Sequence, residues 1–272
     1  MQIECVPAYR LAVAAAVLFL FALSCHQSSS GRLTVIASTA NVGAVVRAVG
    51  GDAVEVTTIA PTGMCPGHFD IRPSHVAAAN RARLVIHQGF ESWLPELEKS
   101  LHGDDRRVVK SSTEGNWMLP EIHLQAVAEI AGLLAESDTA QADSFRARAA
   151  EYVRLVDSTA RRARSLFRGR SLPPVIAAEH QAGMLNWLGF RVIATYGRPE
   201  SFTARDLGRL AQVSVDSGVG LVVDNLQSGP GAGLELARAL GIPQVTLTNF
   251  PLGNDYPGTL KAVADSLLTR LQ

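Results

Sequence analysis

From Thr139 to Phe167 the chain contains no glycine or proline, and Ala and Arg dominate. With no breaker and many strong helix formers, this stretch predicts one long helix, roughly 40 Å at about 1.5 Å per residue. Its basic end, Arg161-Arg162-Ala163-Arg164, suits a helix C-terminus and a solvated face. On both sides, short β-rich runs alternate with helical patterns. Leu33–Ala37, Val54–Ile59, Leu84–His87 and the weaker Val108-Val109 read as strands. Helical patterns cover Asn41–Val49, Ser74–Arg83 with Ser74 as N-cap, a segment from Trp93, and Pro120 to about Glu136. Beyond the long helix, Val175–Ala178, Arg191–Ala194, Leu221–Val223 and Gln244–Leu247 read as strands. Helices are predicted over Gln181–Leu188, Thr203–Ser214, Gly233–Leu240 and within Tyr256–Gln272. Strands alternating with helices call for parallel sheets covered on both faces. The prediction is therefore α/β, with an N-terminal lobe over residues 33–138, a linking helix over 139–168 and a C-terminal lobe over 169–272.

The N-terminus predicts export. An apolar run from Leu11 to Ser24 follows a lone Arg10 and is shorter than the ~20 residues a membrane span needs. It ends in Ala22-Leu23-Ser24-Cys25, which resembles the lipobox of bacterial lipoproteins, although Ala22 stands where that box usually has Leu. Residues 1–24 are then a signal peptide, Cys25 the lipidated first residue, and residues 25–32 a flexible tether. Ordinary signal cleavage or an uncleaved anchor is the alternative. Of the three cysteines, Cys5 would be removed and Cys25 acylated, leaving Cys65 as the one thiol of the mature domain and no internal disulfide. A lone thiol in an exported protein needs burial or a metal against oxidation. The chain is 47% hydrophobic, ample for a core, and its formal net charge is zero with a pI near 7.1. That balance offers neither the basic face that nucleic acid needs nor a polybasic membrane patch.

Candidate chemistry begins after the second predicted strand, at Met64-Cys65-Pro66-Gly67-His68-Phe69-Asp70. Thiolate and imidazole are good ligands for zinc and other late first-row metals. A Pro-Gly turn can fold the two side chains toward one point. The competing reading is a buried Cys and a surface His flanking a turn. Glu179-His180 and Asp224-Asn225 likewise follow predicted parallel strands, where ligands of open α/β sheets bind. His180 could instead be an ordinary helix N-terminal residue, and Asp224 a turn cap. The string Gly-Pro-Gly-Ala-Gly over 229–233 lacks the Lys and spacing of a phosphate loop and reads as a turn.

The layout and several strings resemble the periplasmic substrate-binding proteins of zinc and manganese ABC importers, the TroA-like superfamily. The resemblance runs from about Leu33 to the C-terminus. It is strongest over Val-Gly-Gly-Asp-Ala-Val-Glu-Val (49–56), Pro61-Thr62-Gly63, Arg72-Pro73-Ser74 and Ala82–Ile86. It implies two Rossmann-like α/β lobes joined by a long rigid backbone helix, with a metal site in the interlobe cleft. The family typically draws four ligands, two per lobe, from His and carboxylates. Here His68 is displaced one place, and Cys65 replaces the usual Asp. Trp117 and Pro120 match the second ligand string, but Gly115, with Asn116 beside it, holds the ligand position. His180 fits the third. The fourth position holds Asn249 and Phe250 before Pro251-Leu252, with Asp255 close beyond; Glu179 and Asp224 are the other candidate oxygen ligands.

The resemblance implies an extracytoplasmic solute-binding protein, not an enzyme, monomeric and tethered to the membrane through Cys25. It would capture a divalent transition metal as cargo and deliver it to an ABC permease. Zinc is favoured, and manganese, iron or copper are the other candidates; a Cys65 ligand favours zinc or copper over manganese. The unusual ligand set also admits a metal complex as cargo. Two other classes compete. One is an exported metal-dependent hydrolase with Glu179 as base, unsupported by any His-Glu-x-x-His or Gly-x-Ser-x-Gly string. The other is an adhesin-like scaffold of the same fold whose metal site has decayed.

Overall fold

Four strands and their crossover helices come first: β1 (Leu33–Thr39), α1 (Ala40–Gly50), β2 (Val54–Ala60), α2 (Pro73–Arg81), β3 (Leu84–His87), α3 (Leu94–Lys99) and β4 (Arg107–Lys110). All pair in parallel in the order β2-β1-β3-β4. Central β1 is covered on both faces: Val35 and Ala37 enter one core and Ile36 the other. Next come α4 (Pro120–Ser137) and α5 (Ala142–Ser165). The second lobe follows as β5 (Val175–Ala178), α6 (Glu179–Leu188), β6 (Val192–Tyr196), α7 (Ala204–Ser217), β7 (Leu221–Asn225), α8 (Gly231–Leu240), β8 (Gln244–Leu247) and α9 (Tyr256–Arg270). Its parallel order, β6-β5-β7-β8, repeats the first. This computed structural model describes residues 31–103, 106–229 and 231–271. The expected signal peptide and Cys25 lie outside them. Among the described residues no helix is long and apolar enough to cross a membrane.

The long helix starts later than the composition predicts. Thr139–Gln141 form a separate 3₁₀ turn after Asp138, whose φ of −142° is not helical. From Ala142, α5 runs 24 residues, about 36 Å. It belongs to both lobes: Phe145 and Ala149 pack in the first core, Val156, Ala160 and Ala163 in the second. A second correction concerns α2. Pro73 is its first residue, with φ already preset for a helix, so Arg72 rather than Ser74 is the N-cap. The Arg72 N–H donates to His75 Nδ1 at 3.1 Å.

A buried aromatic cluster ties the lobes. His123 on α4 is fully buried and stacks on Tyr256 of α9 at 3.6 Å between centroids. Its Nδ1 lies 3.2 Å from the Trp117 carbonyl, and its Nε2 lies 3.0 Å from the Tyr152 hydroxyl of α5. A carbonyl only accepts, so Nδ1 carries the proton and Nε2 accepts from Tyr152. The Tyr256 hydroxyl donates to the Met118 carbonyl at 2.9 Å. Burial depresses the His123 pKa to about 3, with the Trp117 bond opposing weakly, so the ring is neutral.

Candidate metal-binding cleft

In each sheet the strand order reverses at the central pair, β1/β3 and β5/β7, and the crevice outside their carboxyl ends is where such sheets bind ligands. The loop from Pro61 to Arg72 leaves β2 on that rim. It is held across the lobes: Thr62 Oγ1 donates to the Pro251 carbonyl at 2.7 Å, and Gln227 Nε2 donates to the Thr62 carbonyl at 2.8 Å. Pro66–His68 form one 3₁₀ turn, closed by the His68 N–H on the Cys65 carbonyl at 3.0 Å. Buried Phe69 anchors the turn in the first lobe's core. Cys65 and His68 thus stand at the two ends of one tight turn, as the Pro-Gly pair predicts.

Both side chains meet an arginine from the other lobe. Arg198 follows β6; its Nη2 donates to Cys65 Sγ at 2.7 Å, and its Nη1 lies 2.7 Å from His68 Nδ1. A guanidinium has no lone pair to offer, so Nδ1 is the acceptor and the imidazole proton sits on Nε2. The lone pairs of Cys65 and His68 therefore converge on one cation.

A cleft of about 440 Å³ opens beside this contact, with Cys65, Glu179, His180, Arg198, Asn225 and Asn249 among its walls. Glu179 and His180 are the first two residues of α6 and are exposed. His68 lines a wider, outer hollow that shares Cys65 and Arg198 with the cleft. Among the described residues no group of three or more His, Cys, Asp or Glu is gathered tightly enough to hold a metal ion. Gly115 and Asn116 also face the cleft. Asn116 is occupied: its Nδ2 donates to the His180 carbonyl at 3.2 Å, and its Oδ1 accepts from the Met118 N–H at 2.9 Å.

Asp224, expected as an oxygen ligand, is not a wall of the cleft. Asp224 belongs to β7, and its carboxylate is buried on the side facing α8, accepting from the Tyr196 hydroxyl at 2.5 Å, the Gly233 N–H at 3.2 Å and Gln244 Nε2 at 2.9 Å. Burial raises its pKa while these bonds oppose the rise. Asp255 is likewise spent, as N-cap of α9, its Oδ1 accepting from the Gly258 N–H at 2.9 Å. Sequence reasoning missed Arg198. The available signal was position: Tyr196-Gly197-Arg198-Pro199 leaves a parallel strand on the same carboxyl rim.

The family described as the zinc-uptake complex component A, periplasmic (ZnuA), matches residues 35–269. A crystal structure of ZnuA is similar at a TM-score of 0.77 and 18% identity, covering 89% of this chain and 100% of that one. A manganese-bound mutant of the periplasmic metal binding protein from Candidatus Liberibacter asiaticus gives 0.77 at 13%, with coverage of 89% and 100%. The laminin binding protein Lmb of Streptococcus agalactiae, described as bifunctional with adhesin and metal transporting activity, gives 0.75 at 19%, with coverage of 88% and 100%. At these identities the likeness is one of fold. No curated protein matches the sequence. With its two parallel lobes, a helix shared between their cores and a family match across nearly all of the described chain, the protein belongs to the periplasmic ZnuA zinc-uptake family.

Proposed function

We propose that this solute-binding protein captures a divalent transition metal, zinc above the others, through Cys65 and His68 from one lobe and His180 and Glu179 from the other, and delivers it to an ABC permease. The observation that carries this reading is the aim of Cys65 Sγ and His68 Nδ1 at one cation, the Arg198 guanidinium, 2.7 Å from each. A metal needs those same lone pairs and takes them when Arg198 swings away. Thiolate–zinc bonding releases a proton, and the sulfur ligand favours zinc or copper over manganese. Glu179 and His180 line the same cleft as Cys65 but come from the other lobe, so completing the shell requires the two lobes to approach. The His123–Tyr256–Tyr152 cluster limits that motion to a modest one. Capture involves no turnover. Acylated Cys25 would hold the protein, as a monomer, at the membrane beside its permease.

One observation favours a second reading, an adhesin-like scaffold without cargo: among the described residues no three ligating groups are gathered beforehand. Metal content decides. The domain after Cys25 is dialysed against mixed divalent metals under reducing conditions and weighed for metal by mass spectrometry, beside Cys65→Ser and His180→Ala. The expected result is near one equivalent of zinc in the wild type, lost in both variants. No retained metal selects the scaffold, and retention indifferent to Cys65→Ser removes the thiol from the site.

A further inference from the structure

Three features of the cleft exceed what a bare ion needs. The first is charge. Arg198 enters the cleft with no carboxylate partner: the ion pairs among the described residues are Arg107–Glu136, Arg146–Asp143, Arg209–Asp206, Arg238–Glu235 and Lys261–Asp265. Its two contacts are the sulfur and ring nitrogen that a metal would take. Once a metal holds those atoms, the guanidinium is left with five donors and a full charge in the cleft, a fork matched to a carboxylate. Neither Glu179, which shares the cleft wall with Arg198, nor Glu200, on the wall of the outer hollow, forms an ion pair with it. The second is size. A cavity of about 440 Å³ falls in the roughly 300–1,000 Å³ range of small-molecule sites, whereas each water around an ion takes only about 30 Å³. The third is the wall. Phe90, 53% exposed, with the edges of the largely buried Phe250 and Pro66 beside it, gives the cleft apolar surface that solvated metal ions do not use.

Building on the proposed metal-capture reading, we infer that the cargo is a metal held in a small carboxylate-bearing organic chelate, not the bare ion. In the loaded state Cys65 and His68 ligate the metal, while Arg198 turns from them to a carboxylate of the chelate. The apolar walls cover the chelate's carbon skeleton. Arg198 then has two roles. It occupies the metal-binding lone pairs in the empty protein, and it selects an anionic complex in the loaded one.

The test uses zinc alone and zinc premixed with citrate, with L-histidine and with nitrilotriacetate, followed by native mass spectrometry and titration calorimetry. Wild type is compared with Arg198→Ala and Arg198→Lys, with circular dichroism and thermal melts confirming that each is folded. The expected result is a species carrying zinc plus one chelator in the wild type, bound at least about tenfold more tightly than zinc alone, one lost ionic contact being worth about that factor. Arg198→Ala should lose the ternary species and bind bare zinc at least as well as the wild type. Arg198→Lys should recover part of the preference. If zinc alone binds and all three chelators merely strip it, equally in wild type and Arg198→Ala, the chelate proposal is overturned and metal capture stands. Chelator binding without zinc also overturns it, since the site would then be an anion site. If no form of zinc binds to the folded wild type, both readings fall together.

Discussion

Acid should weaken this protein by a definable amount through His123. The ring is fully buried and stacked on Tyr256, and in its neutral form it donates from Nδ1 to the Trp117 carbonyl and accepts at Nε2 from Tyr152. Its pKa falls from 6.5 to about 3 because burial penalises the charged ring. A folded pKa below the unfolded one means that the unfolded chain binds more protons between those values. The contribution is therefore complete above the unfolded pKa and is lost as pH falls through the window toward 3. At about pH 5 the unfolded ring is about 1.5 units below its pKa while the folded ring remains neutral, so folding loses about 2 kcal/mol at about 1.36 kcal/mol per unit. Urea unfolding at about pH 7.5 and pH 5 measures the loss. His123→Gln keeps a hydrogen-bonding side chain but cannot titrate. The same pair of measurements on this variant separates the His123 contribution from those of His75 and His87, whose pKa values burial also lowers. The wild type should lose about 2 kcal/mol more than the variant over this interval. Equal losses in the two proteins would refute the neutral, interlobe role of the ring.

Two further substitutions separate scaffold from site. Glu129 clasps the loop that leads to Asn116, accepting from Ser111 Oγ at 2.7 Å, the Ser112 N–H at 2.6 Å and Thr113 Oγ1 at 2.7 Å. Burial alone would raise its pKa, but these bonds together bring it below the usual value. The stabilisation is present above the unfolded carboxylate pKa and disappears as pH falls through the folded one. Glu129→Gln should cost about 1–2 kcal/mol at neutral pH, allowing for partial exposure, and less in acid, as read by urea unfolding. Asp224→Asn should cost about 1–3 kcal/mol, because it sets an amide against Gln244, yet leave zinc content unchanged. A loss of zinc in that folded variant would return Asp224 to the ligand set.

The sheets were legible because their strands are short β-branched runs closed by Gly, Pro or a helix start. Leu84–His87, Val175–Ala178 and Gln244–Leu247 have the bounds that their composition predicts. Helix starts were less legible where capping competes: Pro73 moved the start of α2, and the 3₁₀ turn at Thr139–Gln141 delayed α5. The rim positions of Cys65, Glu179 and His180 followed from strand ends alone. Asp224 misled because position on a rim does not fix direction. Strand side chains alternate, and Val222, two residues earlier, packs in the core on the α7/α8 side, which sends Asp224 the same way. The contact of Arg198 with Cys65 spans 133 residues and depends on how two lobes meet. Neither local propensity nor periodicity carries that information.

The central claim is that Cys65 and imidazole nitrogen hold the cargo, and zinc K-edge X-ray absorption of the loaded protein tests it most directly. Zinc held by the Cys65 thiolate should show a sulfur scatterer at about 2.3 Å with nitrogen and oxygen at about 2.0–2.2 Å, the sulfur shell vanishing in Cys65→Ser. A loaded wild type whose first shell contains only nitrogen and oxygen would contradict it.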